Sequence, residues 1–476
     1  MQNTSDIGAR IAAHAPDLTA LADRVWDTPE TLYAEYASCD AHAETLRAKG
    51  FRVTEALAGI PTAVMGEAGS GGPVIAILGE YDALPGLSQV AGIAEPRELV
   101  PGGDGHGCGH NLLGAAALLA ACAVRDWLEA TGTPGRVRYY GCPAEEGGAA
   151  KAFMVREGAF ADVDAAITWH PNCFTMVDDP LALANTRVDF TFVGRSSHAA
   201  MSPHLGRSAL DAVELMSVGV NYMREHMPSD ARIHYAYLDA GGKAPNVVQG
   251  RARVRYSIRS LSSATVRELL ARVRKVAQGA ALMTETQVSD RIFSAVSSHL
   301  ENLTMDRAMQ DVLDEIGGVP FDDADRAFAA EIQATLTEGD IATAYARVAR
   351  DPAPDTPLFD GVIPMRPGGQ VMVGSTDVGD VTWAVPTTEV LVATHAIGTP
   401  GHSWQTTAQG KTAAAHKGMT HAATAMGRLA EKLIADPDLL AAAKAEHAER
   451  LARTPYVCPI PEDVAPPLVP RPQAAE

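Results

Sequence analysis

Three short apolar runs in the first half of the chain each end in polar residues. They are Val74 to Leu78 in "PVIAILGEYDALPG", Val137 to Gly141 in "RVRYYGCPAEEGG", and Ala165 to Trp169 in "DAAITWHPN". Consecutive apolar positions, as opposed to alternating ones, predict strands covered on both faces, as in a parallel sheet. Between the first two runs lies "NLLGAAALLAACAVRDWLEA", which predicts a helix long enough for a crossover. Upstream, Asp6 to Lys49 reads as helical, interrupted at Pro29. Strand, helix, strand is the grammar of an α/β fold, here with a mixed, mostly parallel sheet.

From about Arg187 the pattern changes. "RVDFTFVG", "RIHYAYLDA" and "RARVRYSIRS" alternate, as strands with one wet face do. Helices are predicted from Gly206 to Glu225 and from Ser263 to about Gln278, and a last strand near "TETQVSDRIFS". This β-α-β-β-α-β order predicts a ferredoxin-like α+β unit. The expected organisation is a catalytic domain in two parts, 1–185 and 301–476, with a lid or dimerisation domain at 186–300 inserted between them. The second part carries helical patterns at 304–316 and 410–435, and a Pro-rich tail from about Cys458; residues 320–368 show no clear pattern. One core rarely exceeds about 250–300 residues, which fits two domains in a chain of 476.

Charge narrows the partners. A net charge of −19 argues against nucleic acid or an anionic membrane, because phosphates need a basic face. No run of about 20 apolar residues predicts a membrane span. The start has no apolar stretch after a basic one, so a cytoplasmic location is expected. The six cysteines contain no CxxC and no CxxCH, so neither a disulfide framework nor haem attachment is expected.

The candidate chemistry lies where the apolar runs end. Asp82, Glu145, Glu146 and His170 each follow a predicted strand, the place where open α/β sheets bind ligands. In "GHGCGHN", an extended backbone would put His106, Cys108 and His110 on one side. Thiolate and imidazole suit zinc-like metals, while a tight turn with a buried cysteine is the alternative. In "CPAEEGG", two adjacent carboxylates cannot point the same way, so one can ligate a metal while the other acts as general base. "GTPGHSWQ" adds His402, whereas His395 lies inside an apolar run and reads as structural. A cysteine, several histidines and a glutamate at strand ends of one sheet point to two divalent ions.

"GEYDALPG", "GHGCGHNLLG", "PAEEGG", "TWHP", "GRSSHAA", "APNVV" and "GHSWQ" resemble, in that order, the dinuclear-metal aminoacylases and amidohydrolases. These are relatives of glutamate carboxypeptidase and include hippurate hydrolase and the auxin-conjugate hydrolases. "GHGCGHN", "STDVGDVTW" and "GHSWQTTAQGKTAAAHKGM" resemble the aminobenzoyl-glutamate branch. The resemblance implies Cys108, His110, Glu146, His170 and His402 as metal ligands, with Cys108 bridging two ions; this donor set suits zinc or manganese, or else cobalt or nickel. It implies Glu145 as general base, Asp82 orienting a ligand histidine, and His198 stabilising an oxyanion, across a dimer or within one chain. Asn246 is implied as a substrate contact; Arg259 is a candidate for the substrate carboxylate and reads equally as a wet-face arginine on an alternating strand. The implied activity is hydrolysis of an N-acyl amino acid, p-aminobenzoyl-glutamate first and benzoyl, indoleacetyl or carbobenzoxy conjugates next. The implied assembly is a homodimer or a heterodimer with a related A-type chain. The remaining alternatives are a non-catalytic metal-binding subunit and a thiol enzyme using Cys108. Two motifs depart from the family pattern: Asn111 stands where most of the wider family has Asp after CGH, and Glu80-Tyr81-Asp82 stands where many relatives have Asp-Met-Asp.

Overall fold

The computed structural model describes residues 6–178, 181–353, 356–366 and 372–472. Helices α1 (Ile7–Asp27) and α2 (Tyr36–Ala48) open the chain, followed by strands β1 (Arg52–Glu55), β2 (Val64–Ser70) and β3 (Val74–Glu80). Helix α3 (His110–Thr131) leads to β4 (Gly135–Cys142), and α4 (Ala150–Arg156) leads to β5 (Ala165–Asn172) and β6 (Met176–Asp178). After the short β7 (Leu181–Ala182) come β8 (Ala184–Val193), α5 (Ala209–Met223), β9 (Arg232–Asp239), β10 (Arg251–Ser260), α6 (Ser263–Thr284) and β11 (Gln287–Val296). The chain continues through α7 (Leu303–Ile316), α8 (Asp323–Gln333), α9 (Glu338–Arg347), the short β12 (Met372–Val373) and α10 (Val378–Ala384). It ends with β13 (Thr387–Ala393), α11 (Trp404–Gln409), α12 (Ala413–Ala435) and α13 (Pro437–Arg453).

The larger sheet has the order β1-β2-β4-β3-β5-β13-β6. Its centre, β4-β3-β5-β13, is parallel, and β1, β2 and β6 add antiparallel edges. The three apolar runs read from the sequence are β3, β4 and β5, with β13 the fourth central strand, and every residue of β3 is buried. The three edge strands carry no comparable run. Helix α3 is long and apolar enough to cross a bilayer by length and composition, yet its apolar stretch is almost wholly buried within the protein. It lies hard against β3: a Cβ added to Gly114 would come within 2.5 Å of the Glu80 carbonyl. That close approach places the start of α3 directly over the carboxyl end of β3.

The second sheet, β11-β8-β10-β9, is antiparallel throughout, with α5 and α6 packed on it. Burial alternates strictly along β10, as its sequence predicts. The expected ferredoxin-like order of elements is what the chain adopts.

The stretch without a clear sequence pattern contains α8 and α9. Both start with a capping box, Asp322 with Asp325 and Thr337 with Asp340, in which each side chain satisfies the other residue's backbone N–H. Only Tyr345 of α9 is buried, so no apolar stripe marks that helix.

Candidate metal centre

The segment before α3 is a chain of turns, not a strand. Gly107 N–H donates to the Gly105 carbonyl at 2.9 Å, and Gly109 takes a left-handed φ of +81°. Glycine is needed at 109, because a Cβ there would meet the Pro171 ring at 3.0 Å. This corrects the expectation of three side chains on one side. Cys108 and His110 meet, but His106 turns away to bond the Val25 carbonyl at 3.0 Å, and burial lowers its pKa to about 3.

Cys108 Sγ lies 3.3 Å from His170 Nε2, and His170 Nδ1 donates to the Pro171 carbonyl at 2.9 Å. His170 sits inside β5, two residues before its end, not past it as expected. His110 is the first residue of α3. Its Nδ1 bonds Asp82 Oδ1 at 2.8 Å, which turns Nε2 towards Glu80 Oε2 at 3.2 Å. The other oxygen of Asp82 accepts from the Glu146 backbone N–H at 3.0 Å, so one carboxylate orients two site residues. Glu146 Oε1 lies 3.3 Å from His402 Nε2, and the His402 backbone is tied to the Gly107 carbonyl at 2.9 Å.

Three overlapping groups have ligand atoms within 4.8 Å of one another: Cys108–His110–His170, Cys108–Glu146–His402 and Glu80–His110–Glu145. Cys108 belongs to two of them. The donors fit divalent cations, because His110 Nε2 and Glu146 Oε1 are buried and the atoms nearest them, Glu80 Oε2 and His402 Nε2, are themselves possible ligands. Burial pushes the Cys108 thiol up to about 12, so a thiolate there needs a cation beside it. Burial also opposes charge on Glu146, but the imidazoles of His402 and His110 outweigh it and bring that carboxyl down to about 2.

Glu145 faces the same space. Burial, then the charges of Glu80 and Glu146, hold its carboxyl well above the usual range. The turn that presents it is pinned from below, where Glu35 accepts from the Ala144 N–H at 3.1 Å and Ala144 adopts a φ of +55°. Glu35 itself is fully buried and has no signal in the sequence. Nor does Lys151, whose ammonium pairs with Glu80 at 2.5 Å and Asp377 at 2.6 Å. Glu80 therefore touches the site.

Other candidates stand apart. His198, Asn246 and Arg259 lie on the second unit, and none lines the cavity beside the cluster. His198 Nδ1 accepts from the Ala200 and Met201 N–H groups at 3.2 and 3.1 Å, and its backbone pairs with Val247, next to Asn246. Arg259 is on β10, with Nε donating to Ser257 Oγ at 3.4 Å. The cavity, about 820 Å³, runs from the cluster past Phe174 and His395 to Arg347 and Ile363. One wall thus comes from the segment whose sequence shows no pattern. The His395 ring has Nδ1 2.9 Å from Thr394 Oγ1, and burial lowers its pKa to about 4.

Residues 76–318 match peptidase family M20/M25/M40. The chain is 47% identical over 466 residues to the B subunit of p-aminobenzoyl-glutamate hydrolase from Escherichia coli K12, covering 96% of this chain and 97% of that protein. Among solved structures, it resembles an aminobenzoyl-glutamate utilization protein from Klebsiella pneumoniae, with a TM-score of 0.60, 18% identity, and 89% of this chain and 98% of that one covered. It also resembles a dinuclear metal binding peptidase of the M20 family from Bacillus subtilis, with a TM-score of 0.57, 17% identity, and coverage of 89% and 99%. At these identities the two structures bear on the fold alone.

Proposed function

Because the chain belongs to peptidase family M20/M25/M40, we propose that the cluster at Cys108 is the active site of an amidase that cleaves p-aminobenzoyl-glutamate to p-aminobenzoate and glutamate. The chain is a metal-dependent amidohydrolase acting on a small molecule. The observation that carries the site assignment is the convergence of Cys108, His110, Glu146, His170 and His402, with Cys108 shared by two groups of ligand atoms. Cys108 would be a ligand available to both ions, and thiolate, imidazole and carboxylate together would suit zinc or manganese, with cobalt or nickel next.

Such ions, when bound, polarise the scissile carbonyl and make a bound water more acidic. The chain's own residues do the rest. Asp82 fixes the His110 ring and the Glu146 backbone, so two ligands are held before any cation arrives. Glu145 takes the proton from the attacking water and passes it to the leaving amine nitrogen.

We assign 1–185 and 301–476 to catalysis and 186–300 to a lid that also forms a dimer, with itself or with a related A-type chain. In the homodimer, His198 of one subunit would reach the partner's cluster and donate to the oxyanion. Asn246 beside it, and Arg259, would contact the substrate. Mixing separately inactive His198→Ala and Glu145→Gln chains should then restore roughly a quarter of wild-type activity, since half the dimers are mixed and one of their two sites is intact. No restoration from variants that exchange subunits would place His198 outside the partner's site.

The first test is hydrolysis of p-aminobenzoyl-glutamate by the purified chain, with its metal content measured before and after a chelator. Turnover should stop as metal is lost and return when it is restored. Turnover that survives complete metal removal would overturn the assignment and turn attention to Cys108 as a nucleophile. Turnover only after a second protein is added would make this chain a supporting subunit.

A further inference from the structure

Glu389 is a buried carboxyl that the mechanism does not use. It lies on β13, where it pairs in register with Thr168 of β5 and Asp178 of β6, while Leu391 pairs with His170 and Met176. Side chains two residues apart share a face of the sheet, so Glu389 and His170 face the same side, one row apart. One row is about 6.7 Å, comparable to a benzene ring with its para substituent. Glu389 lines the cavity together with Glu80, Cys108, Glu145 and His170. It is 7% exposed. Among the described residues, no hydrogen bond reaches its side chain.

A buried carboxyl without a partner is destabilising, so a group of this kind facing a cavity needs an explanation. The surroundings restrict what could satisfy it. A carboxylate on a ligand would meet Glu389 with Asp178 in register beside it and Glu80 nearby. An unsubstituted ring would leave the carboxyl unsatisfied. A group that donates an N–H satisfies it.

We propose that Glu389 forms the far end of the acyl subsite and accepts a hydrogen bond from a neutral amino substituent on an aromatic acyl group. This rests on the amidase reading and deepens it, since it ties the choice of acyl group to one residue. Burial, then the charges of Asp178 and Glu80, hold the carboxyl well above the usual range. The neutral acid still accepts through its carbonyl oxygen, and it matches an uncharged arylamine better than an ammonium.

The experiment compares p-aminobenzoyl-glutamate with benzoyl-glutamate, which lacks only the amino group. In the wild type, the ratio of kcat/KM values should favour the amino compound by about tenfold or more. Glu389→Leu should lower that ratio by about tenfold, and Glu389→Gln, which keeps a carbonyl acceptor, should hold it within about threefold. The same ratio is measured from dissociation constants in a Glu145→Gln background, where no turnover is needed. Failure to hydrolyse either compound would therefore count against the amidase reading while the binding ratio still judges Glu389. A wild-type ratio near one would overturn the proposal without recourse to any variant. So would a ratio unmoved in Glu389→Leu, or a wild-type preference for the ammonium-bearing p-aminomethylbenzoyl-glutamate.

Discussion

Glu145→Gln is expected to lower kcat on p-aminobenzoyl-glutamate by about 10²–10⁴-fold, the range that a positioned general base contributes. Metal content should stay as in the wild type. The glutamine has the same shape and keeps a carbonyl acceptor, so the turn between β4 and α4 has no steric reason to move. What it loses is the capacity to take up a proton. The division of labour between the two adjacent carboxylates is what the experiment separates. Asp82 bonds the Glu146 backbone and the Glu146 side chain faces His402, whereas the Glu145 carboxyl is governed by burial and by the charges of Glu80, Glu146 and Asp377. Glu146→Gln should therefore lose metal together with activity, and Glu145→Gln should lose activity alone. Metal loss from Glu145→Gln, or a kcat within tenfold of wild type, would reverse the two roles or remove them.

The parts of this site that are legible in the sequence are those set by local patterning. Val74 to Leu78 and Ala165 to Trp169 are apolar or nearly so throughout, which places their strands and the polar residues at their ends. Cys108, His110 and Glu146 then fall within one region because strand ends of one sheet converge. The backbone through Gly107 and Gly109 is not legible in the same way. Glycine permits an extended chain and a left-handed turn alike, so the local residues do not choose between them. Helix α9 leaves no periodic mark because it buries little more than Tyr345, although it walls the cavity. Whether His198 meets the cluster depends on how the second unit is placed, which local patterning does not encode; its ring accepts from the Ala200 and Met201 N–H groups of its own loop. Lys151 is silent for a different reason. A lysine among alanines in "GGAAKAFMV" reads as a solvated helix position, and lysines are rarely fully buried.

Lys151→Met should destabilise the fold by about 3–5 kcal/mol, the cost of removing one partner from a buried ion cluster. Lys151 and Asp377 are inaccessible to solvent and Glu80 is 3% exposed. Burial disfavours the ammonium, but Asp377 and Glu80 outweigh it and keep Lys151 charged. Asp377 also accepts from the Lys151 backbone N–H at 2.9 Å, which ties α4 to the turn before α10. Methionine fills much the same volume, so the loss would come from two buried carboxylates deprived of the ammonium they share and not from a void. Neutralising them as well, in Lys151→Met/Glu80→Gln/Asp377→Asn, should recover part of the loss, because the desolvation cost then disappears with the charges. Denaturant midpoints of the two variants distinguish this from a packing effect, for which the triple variant would be the less stable. The cluster also reaches the metal centre, since the second oxygen of Glu80 faces His110 Nε2. Lys151→Met frees Glu80 from its clamp, so metal affinity should change along with stability, by calorimetric titration of the folded variant. Stability within about 1 kcal/mol of wild type, well below what breaking a buried pair costs, would mean that the three groups carry no net charge imbalance and that Lys151 neither holds Glu80 nor supports the site.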